Sequence, residues 1–182
     1  MPIYVSGKKK FTPAPEGLWP GICVDVVDLG MVESSKYEPR HMVQIRWVLD
    51  AEPALESGKP HMAMRQFGNS LGKKSHLRPF LEAWRGRKFT NEELELFDLE
   101  TLIGACGQIQ IIHATHDGET YGNVQAVVPY PRGMSKMTVP TDYVRQVDRE
   151  KREEYEKHPD GNGNRSDEYE APYPSTDEDI PF

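Results

Sequence analysis

Apolar and polar residues alternate along three early stretches, and each alternation predicts an extended strand. Between Leu18 and Leu29, Ile22, Val24 and Val26 alternate with Cys23, Asp25 and Val27, and Gly30 ends the run. From His41 to Asp50 the period of two is cleanest. Val43, Ile45, Trp47 and Leu49 share one face, while Met42, Gln44, Arg46 and Val48 share the other. From His61 to Asn69, Met62, Met64 and Gln66 oppose Ala63, Arg65, Phe67 and Asn69. Ser34–Arg40 and Glu52–Lys59 are polar enough to be the connecting loops.

The period then changes. Leu77, Phe80, Leu81 and Trp84 fall at i, i+3, i+4 and i+7, which predicts a helix capped by Ser75 and stopped by Gly86, with Pro79 near its first turn. Thr90-Asn91-Glu92-Glu93 has the spacing of a capping box and opens a second short turn through Phe97. Residues 106–130 read as a hairpin: Ile109 and Ile111 alternate with Gln108 and Gln110, Asp117-Gly118 supplies the turn, and Val124, Ala126 and Val128 return. Asp142–Lys157 has helical composition with only Tyr143, Val144 and Val147 to anchor it.

The predicted order is strand, strand, strand, helix, strand, strand. A mainly β chain with five strands and a helix between the third and fourth has the order of the OB-fold, a Greek-key barrel that takes oligonucleotides across strands two and three. The expected organisation is an extended arm over 1–17, the barrel over 18–132, a partly helical extension over 133–157 and a disordered acidic tail over 158–182.

Charge changes this picture in one respect. The net charge is −7, unfavourable for a nucleic-acid binder, but it is unevenly placed. Residues 1–150 hold 18 Lys and Arg against 19 Asp and Glu, whereas residues 151–182 hold 4 against 10. A nearly neutral body can carry a basic groove, because local clustering decides the surface field. Cys23 and Cys106 lie in strand-like runs and are expected to be reduced. No apolar run approaches the roughly 20 residues of a membrane span, so a cytoplasmic protein with no membrane partner is expected.

Asp177-Glu178-Asp179-Ile180-Pro181-Phe182 combines acids with a short apolar hook and an aromatic ring, a combination suited to docking on a basic, pocketed partner. This segment resembles the C-terminal peptide of bacterial single-stranded DNA-binding proteins. Pro15-Glu16-Gly17-Leu18-Trp19, Val43-Gln44-Ile45-Arg46-Trp47 and Ser75-His76-Leu77-Arg78-Pro79-Phe80-Leu81 are similar to stretches of the single-domain, acidic-tailed binders that bacteriophages encode. The resemblance implies a non-catalytic protein that coats single-stranded DNA in the bacterial host cytoplasm. It also implies that enzymes of replication, recombination or repair are recruited through residues 177–182. The core pattern and the Gln/Gly-rich linker of the cellular relatives are not present, so their tetrameric assembly is not carried over; a homo-oligomer remains one option.

A sequence-tolerant single-strand binder needs cations along a groove and flat faces for bases. If Val43, Ile45, Trp47 and Leu49 fill the core, Gln44 and Arg46 face outward on the second strand, with Arg65 and Phe67 as the expected outward set on the third. A one-residue slip would make Phe67 core instead, and Arg46 and Arg65 have the simpler alternative of solvating the sheet. Lys73 and Lys74 before the helix, Tyr37 and Arg40 in the first loop, and Tyr121 in the hairpin extend the candidate surface. Lys8-Lys9-Lys10 has both a solvated and a phosphate-contacting reading.

The competing functions are an RNA-binding or adaptor OB module and, less well supported, a metal-dependent nuclease. His113-x-x-His116 lacks a third ligand at convincing spacing, and no Walker loop or nucleophile elbow is read, so no cofactor, metal or catalytic residue is expected.

Overall fold

The computed structural model describes residues 12–34 and 38–157. Tyr37, the lysine triplet at 8–10 and the segment 158–182, with Asp177, Glu178, Asp179, Ile180, Pro181 and Phe182, lie outside the described residues.

The protein is mainly β. Five strands, β1 (Gly17–Val32), β2 (Arg40–Leu49), β3 (His61–Gly68), β4 (Cys106–His116) and β5 (Glu119–Pro129), form one antiparallel sheet in the order β3-β2-β1-β4-β5. Helix α1 (Leu77–Arg85) and the short α2 (Asn91–Glu95) separate β3 from β4, and α3 (Gln146–Lys157) follows the sheet. None of the helices among the described residues is long and apolar enough to cross a membrane.

β1 organises the sheet because it is long enough to pair twice. Its first part pairs with β4 from Gly17 to Ile22, and from Gly21 onward it pairs with β2. Gly21 sits where the two ladders overlap. A Cβ there would fall 2.3 Å from Ile109 Cδ1 and 2.9 Å from Leu49 Cδ2, so only glycine lets both side chains close over the strand. The β4–β5 turn is made by Asp117 (φ 50) and Gly118 (φ 77), the left-handed pair that a two-residue hairpin requires.

The inner face carries the main core. Trp47, Ile45, Ile109 and Ile111 are fully buried, and α1 lays Leu77, Phe80, Leu81 and Trp84 against them. Tilted ring pairs join Trp47 to Phe80 at 6.0 Å and to Trp84 at 5.8 Å, and Trp84 Nε1 donates to Cys106 O at 3.0 Å. The helix ends match the sequence except at the start of α1, where the N-cap residue is His76 and not Ser75. Ser75 Oγ accepts from the Leu77 N–H, Gly86 is left-handed at φ 69, and Thr90 and Glu93 complete the capping box.

Two phases differ from the alternation read in the sequence. A register shift between Cys23 and Asp25 divides β1: Cys23 and Val26 face the main core opposite Trp47 and Ile45, while Ile22, Val24 and Asp25 meet the opposite side. On β3 the inward set is His61, Ala63, Arg65 and Phe67, and Met62, Met64 and Gln66 are exposed.

The outer face of β1–β2 is also covered. Residues 137–146 form a strap in which Met137, Val139 and Tyr143 pack against a second small core of Ile22, Val24 and Val48. Of the expected anchors only Tyr143 joins that core; Val147 is 41% exposed. Cys23 and Cys106 are free thiols, and burial pushes the Cys23 thiol up to about 12.

Candidate nucleic-acid interface

The predicted residues separate into four places. Gln44 and Arg46 lie on the outer face of β2, as their phase required, but beneath the strap rather than open to solvent. Gln44 is buried and accepts from Arg46 Nε at 2.7 Å; Arg46 Nη1 donates to Gln146 Oε1 at 3.0 Å. Beside them Asp25, 1% exposed, is the anchor of the strap. Its carboxylate accepts from the Gln146 N–H at 2.8 Å, Tyr143 OH at 3.1 Å and Arg145 Nε at 3.3 Å. Arg145 also donates to Glu100 at 2.7 Å, and that contact, followed by the Asp25 bond, raises its pKa. Desolvation, reinforced by Asp25, pushes the Tyr143 phenol upward. The sequence reading missed this network because Asp25 and Gln146 are far apart along the chain.

Arg65 and Phe67 do not face outward; that expectation is overturned. Phe67 is 3% exposed and packs on Phe80 at 4.7 Å, so it is core. Arg65 is drawn inward by two carbonyls of β5, donating to Val124 O at 2.9 Å and Gln125 O at 2.7 Å. Its guanidinium lies 5.0 Å from the Phe67 ring and 5.1 Å from the Phe80 ring. The desolvation that lowers its pKa reflects this partly enclosed position. A register shift in β4–β5 leaves Gln125 without an opposite residue, which makes room for the double acceptor. The arginine therefore ties one end strand of the sheet to the other.

Tyr121 is exposed on the β4–β5 hairpin and donates to Glu119 Oε2 at 2.9 Å, a bond that raises its pKa. At the inner end of that hairpin, His113 is held by Ala14 O at 2.8 Å and by Glu16, while His116 pairs with Asp117 at 2.9 Å.

Arg40, Lys73 and Lys74 come together. They line an open groove of about 530 Å³ between the start of β2 and the β3–α1 loop, with His41, His76 and Asn69. The histidines and Asn69 were not singled out in the sequence; the run Gly68-Asn69-Ser70-Leu71-Gly72-Lys73-Lys74-Ser75, leading directly into a helix, was the signal for them. Among the described residues, every charged side chain in the lining is basic or a histidine. Among the described residues, Lys73 and Lys74 form no ion pair. The loop holds its shape through its serines. Ser75 Oγ donates to Ser70 O, the Gly72 N–H donates to Ser70 Oγ at 3.1 Å, and the Ser75 N–H reaches Gly72 O at 2.9 Å.

The groove walls are fixed by backbone and side-chain hydrogen bonds. The Asn69 N–H donates to His41 O at 2.8 Å, and His41 Nε2 lies 2.5 Å from Asp28 Oδ1. The Gly30 N–H, and then His41, hold the Asp28 carboxyl below its ordinary value. A second depression of about 340 Å³ continues from Lys73 and Ser75 toward Arg78, which is paired with Glu82 at 3.1 Å. The first turn of α1 carries no acid to offset the positive end of the helix dipole. The lining thus gathers three cationic side chains, two imidazoles and two serine hydroxyls at the N-terminal end of α1. Comparison of the chain with protein-family models and with curated protein sequences gives no match to either.

Proposed function

We propose that the chain is a non-catalytic single-stranded DNA-binding protein, an OB-type barrel that holds the strand's phosphates in the Arg40–Lys73–Lys74 groove. The observation that carries this reading is the groove itself: among the described residues it is a wide channel lined by cations with no acid in the lining, and two of those cations make no ion pair. The strand order and the helix between β3 and β4 support the barrel, with Arg65 linking β3 to β5 where the sheet would close. The resemblance of residues 177–182 to the docking peptide of single-stranded DNA-binding proteins supports recruitment of replication, recombination or repair enzymes in a bacterial cytoplasm.

Titration of labelled single-stranded DNA, duplex DNA and RNA against the pure protein tests the reading. The expected result is tightest binding to single-stranded DNA, with log K falling by about 0.7 per phosphate neutralised as log salt rises. Affinity that does not change with salt would rule out a phosphate-holding groove. Phe182→Ala is expected to leave DNA affinity unchanged and to lose the partner enzyme, since an aromatic anchor in a pocket carries much of such an interface.

A further inference from the structure

The aromatic platform expected on β3 is absent from its outer face, yet that face is not polar. Met62 and Met64 are 38% and 48% exposed, and Gln66 continues their row. An end strand facing solvent usually carries charges on this side, so two exposed thioethers on one face are apolar surface left to solvent. The row runs into the groove. Its next position is Gly68, which lines the groove, and a Cβ at Gly68 would sit 4.0 Å from Arg40 Cδ, so the arginine stem lies along the row at its groove end. On its inner side the row is bordered by Arg46, opposite Met64, whose guanidinium is held by the strap at Gln146. Charge gives the row a direction: Arg40, Lys73 and Lys74 stand at one end, and at the other the exposed Asp50, Glu52 and Glu56 outnumber the exposed Lys59 around the loop.

We infer that the bases of the bound strand lie on this methionine row, while its phosphates enter the groove at Arg40, Lys73 and Lys74. This rests on the single-strand reading above and deepens it by naming the surface that meets the bases. A thioether is polarizable and unbranched, so it contacts the face of any base without a hydrogen-bond code, which suits binding without sequence preference. β3 spans about 26 Å at the usual rise per residue, enough for a short footprint of about four nucleotides before the acidic loop turns the strand away.

The test compares a base-bearing oligonucleotide with an abasic strand of equal length, on wild-type protein, Met62→Ala/Met64→Ala and Lys73→Ala/Lys74→Ala, each across a salt series. The wild type is expected to prefer the base-bearing strand by about tenfold. The methionine variant is expected to lose most of that preference and to keep the wild-type salt slope. The lysine variant is expected to keep the preference while its slope becomes shallower by about 1.4. A methionine variant that retains the full preference overturns the inference and leaves the groove reading standing, provided the lysine variant loses slope. A lysine variant with unaltered slope overturns the groove reading, and a wild type indifferent to abasic strands overturns the inference outright. Melting temperatures of the variants, expected within a few degrees of wild type for these exposed sites, keep folding defects out of the comparison.

Discussion

Two neighbouring regions of the sheet carry cations in opposite ways. On the outer face of β1–β2, Arg46 and Arg145 are bound by Gln44, Gln146, Asp25 and Glu100, and the strap lies over them. In the β3–α1 groove, Lys73 and Lys74 make no ion pair among the described residues, and the loop beneath them is braced by serines instead. A guanidinium with several fixed donors suits the first task, because planar geometry positions a partner element. A lysine on a flexible stem suits the second, since a mobile point charge follows a phosphate backbone without specifying one geometry. The difference teaches that a basic residue in a presumed binding sheet is not by itself evidence of binding. What matters is whether the protein has already satisfied it.

Breaking the covered region should have the largest effect. Asp25→Ala leaves the Gln146 N–H, the Tyr143 hydroxyl and Arg145 without their shared acceptor beneath the strap, and is expected to cost about 3 kcal/mol in urea denaturation. A cost below about 0.5 kcal/mol would mean that water replaces the carboxylate and that the strap is held by Met137, Val139 and Tyr143 alone.

The groove should respond in the other observable. Lys73→Ala/Lys74→Ala is expected to leave stability within about 0.5 kcal/mol of wild type, because neither side chain is engaged in an ion pair among the described residues. Affinity for single-stranded DNA at low salt should fall about tenfold. Arg46→Ala is the converse and sharpens the contrast. Loss of its hydrogen bonds to Gln44 and Gln146 should cost about 1 kcal/mol of stability and leave the salt slope unchanged, since Arg46 is engaged with the strap. If Arg46→Ala instead reduced the slope as Lys73→Ala/Lys74→Ala is expected to, the strap would have to open on binding.

The sequence foretold the elements better than their faces. Asp117-Gly118, the Thr90 capping box and the Leu77–Trp84 stripe are local signals, and the turn, the cap and the helix appear where they predict. The face of β3 was not legible, because each side mixes polar and apolar residues and the decision lies elsewhere. Arg65 turns inward only because Val124 and Gln125, in a strand nearly sixty residues later, offer carbonyls at a register shift. Phe67 follows it into the core. The bulge at Val24 and the strap are long-range in the same sense: Asp25 looks like a solvated strand residue until Tyr143, Arg145 and Gln146 close over it. The groove was half legible. Arg40, Lys73 and Lys74 were named from their charge, whereas His41, His76 and Asn69 join them only through the folding of the β3–α1 loop.

The smallest expected effect tests the wall between the two regions. Asp28 lies on β1 across from the groove, where the Gly30 N–H at 2.8 Å and His41 stabilise its carboxylate and lower its pKa. A group whose folded pKa is depressed contributes stability above its unfolded value, and that contribution disappears as pH falls through the folded one. The melting temperature of wild type should therefore exceed that of Asp28→Asn near neutrality, and the two curves should converge below about pH 4. The same substitution removes a negative charge bonded to His41 in the wall of the groove that Lys73 and Lys74 line, so single-strand affinity at neutral pH should rise, by about twofold at low salt. A rise in affinity without the pH-dependent convergence would mean that Asp28 tunes the field of the groove but does not brace His41 in its wall.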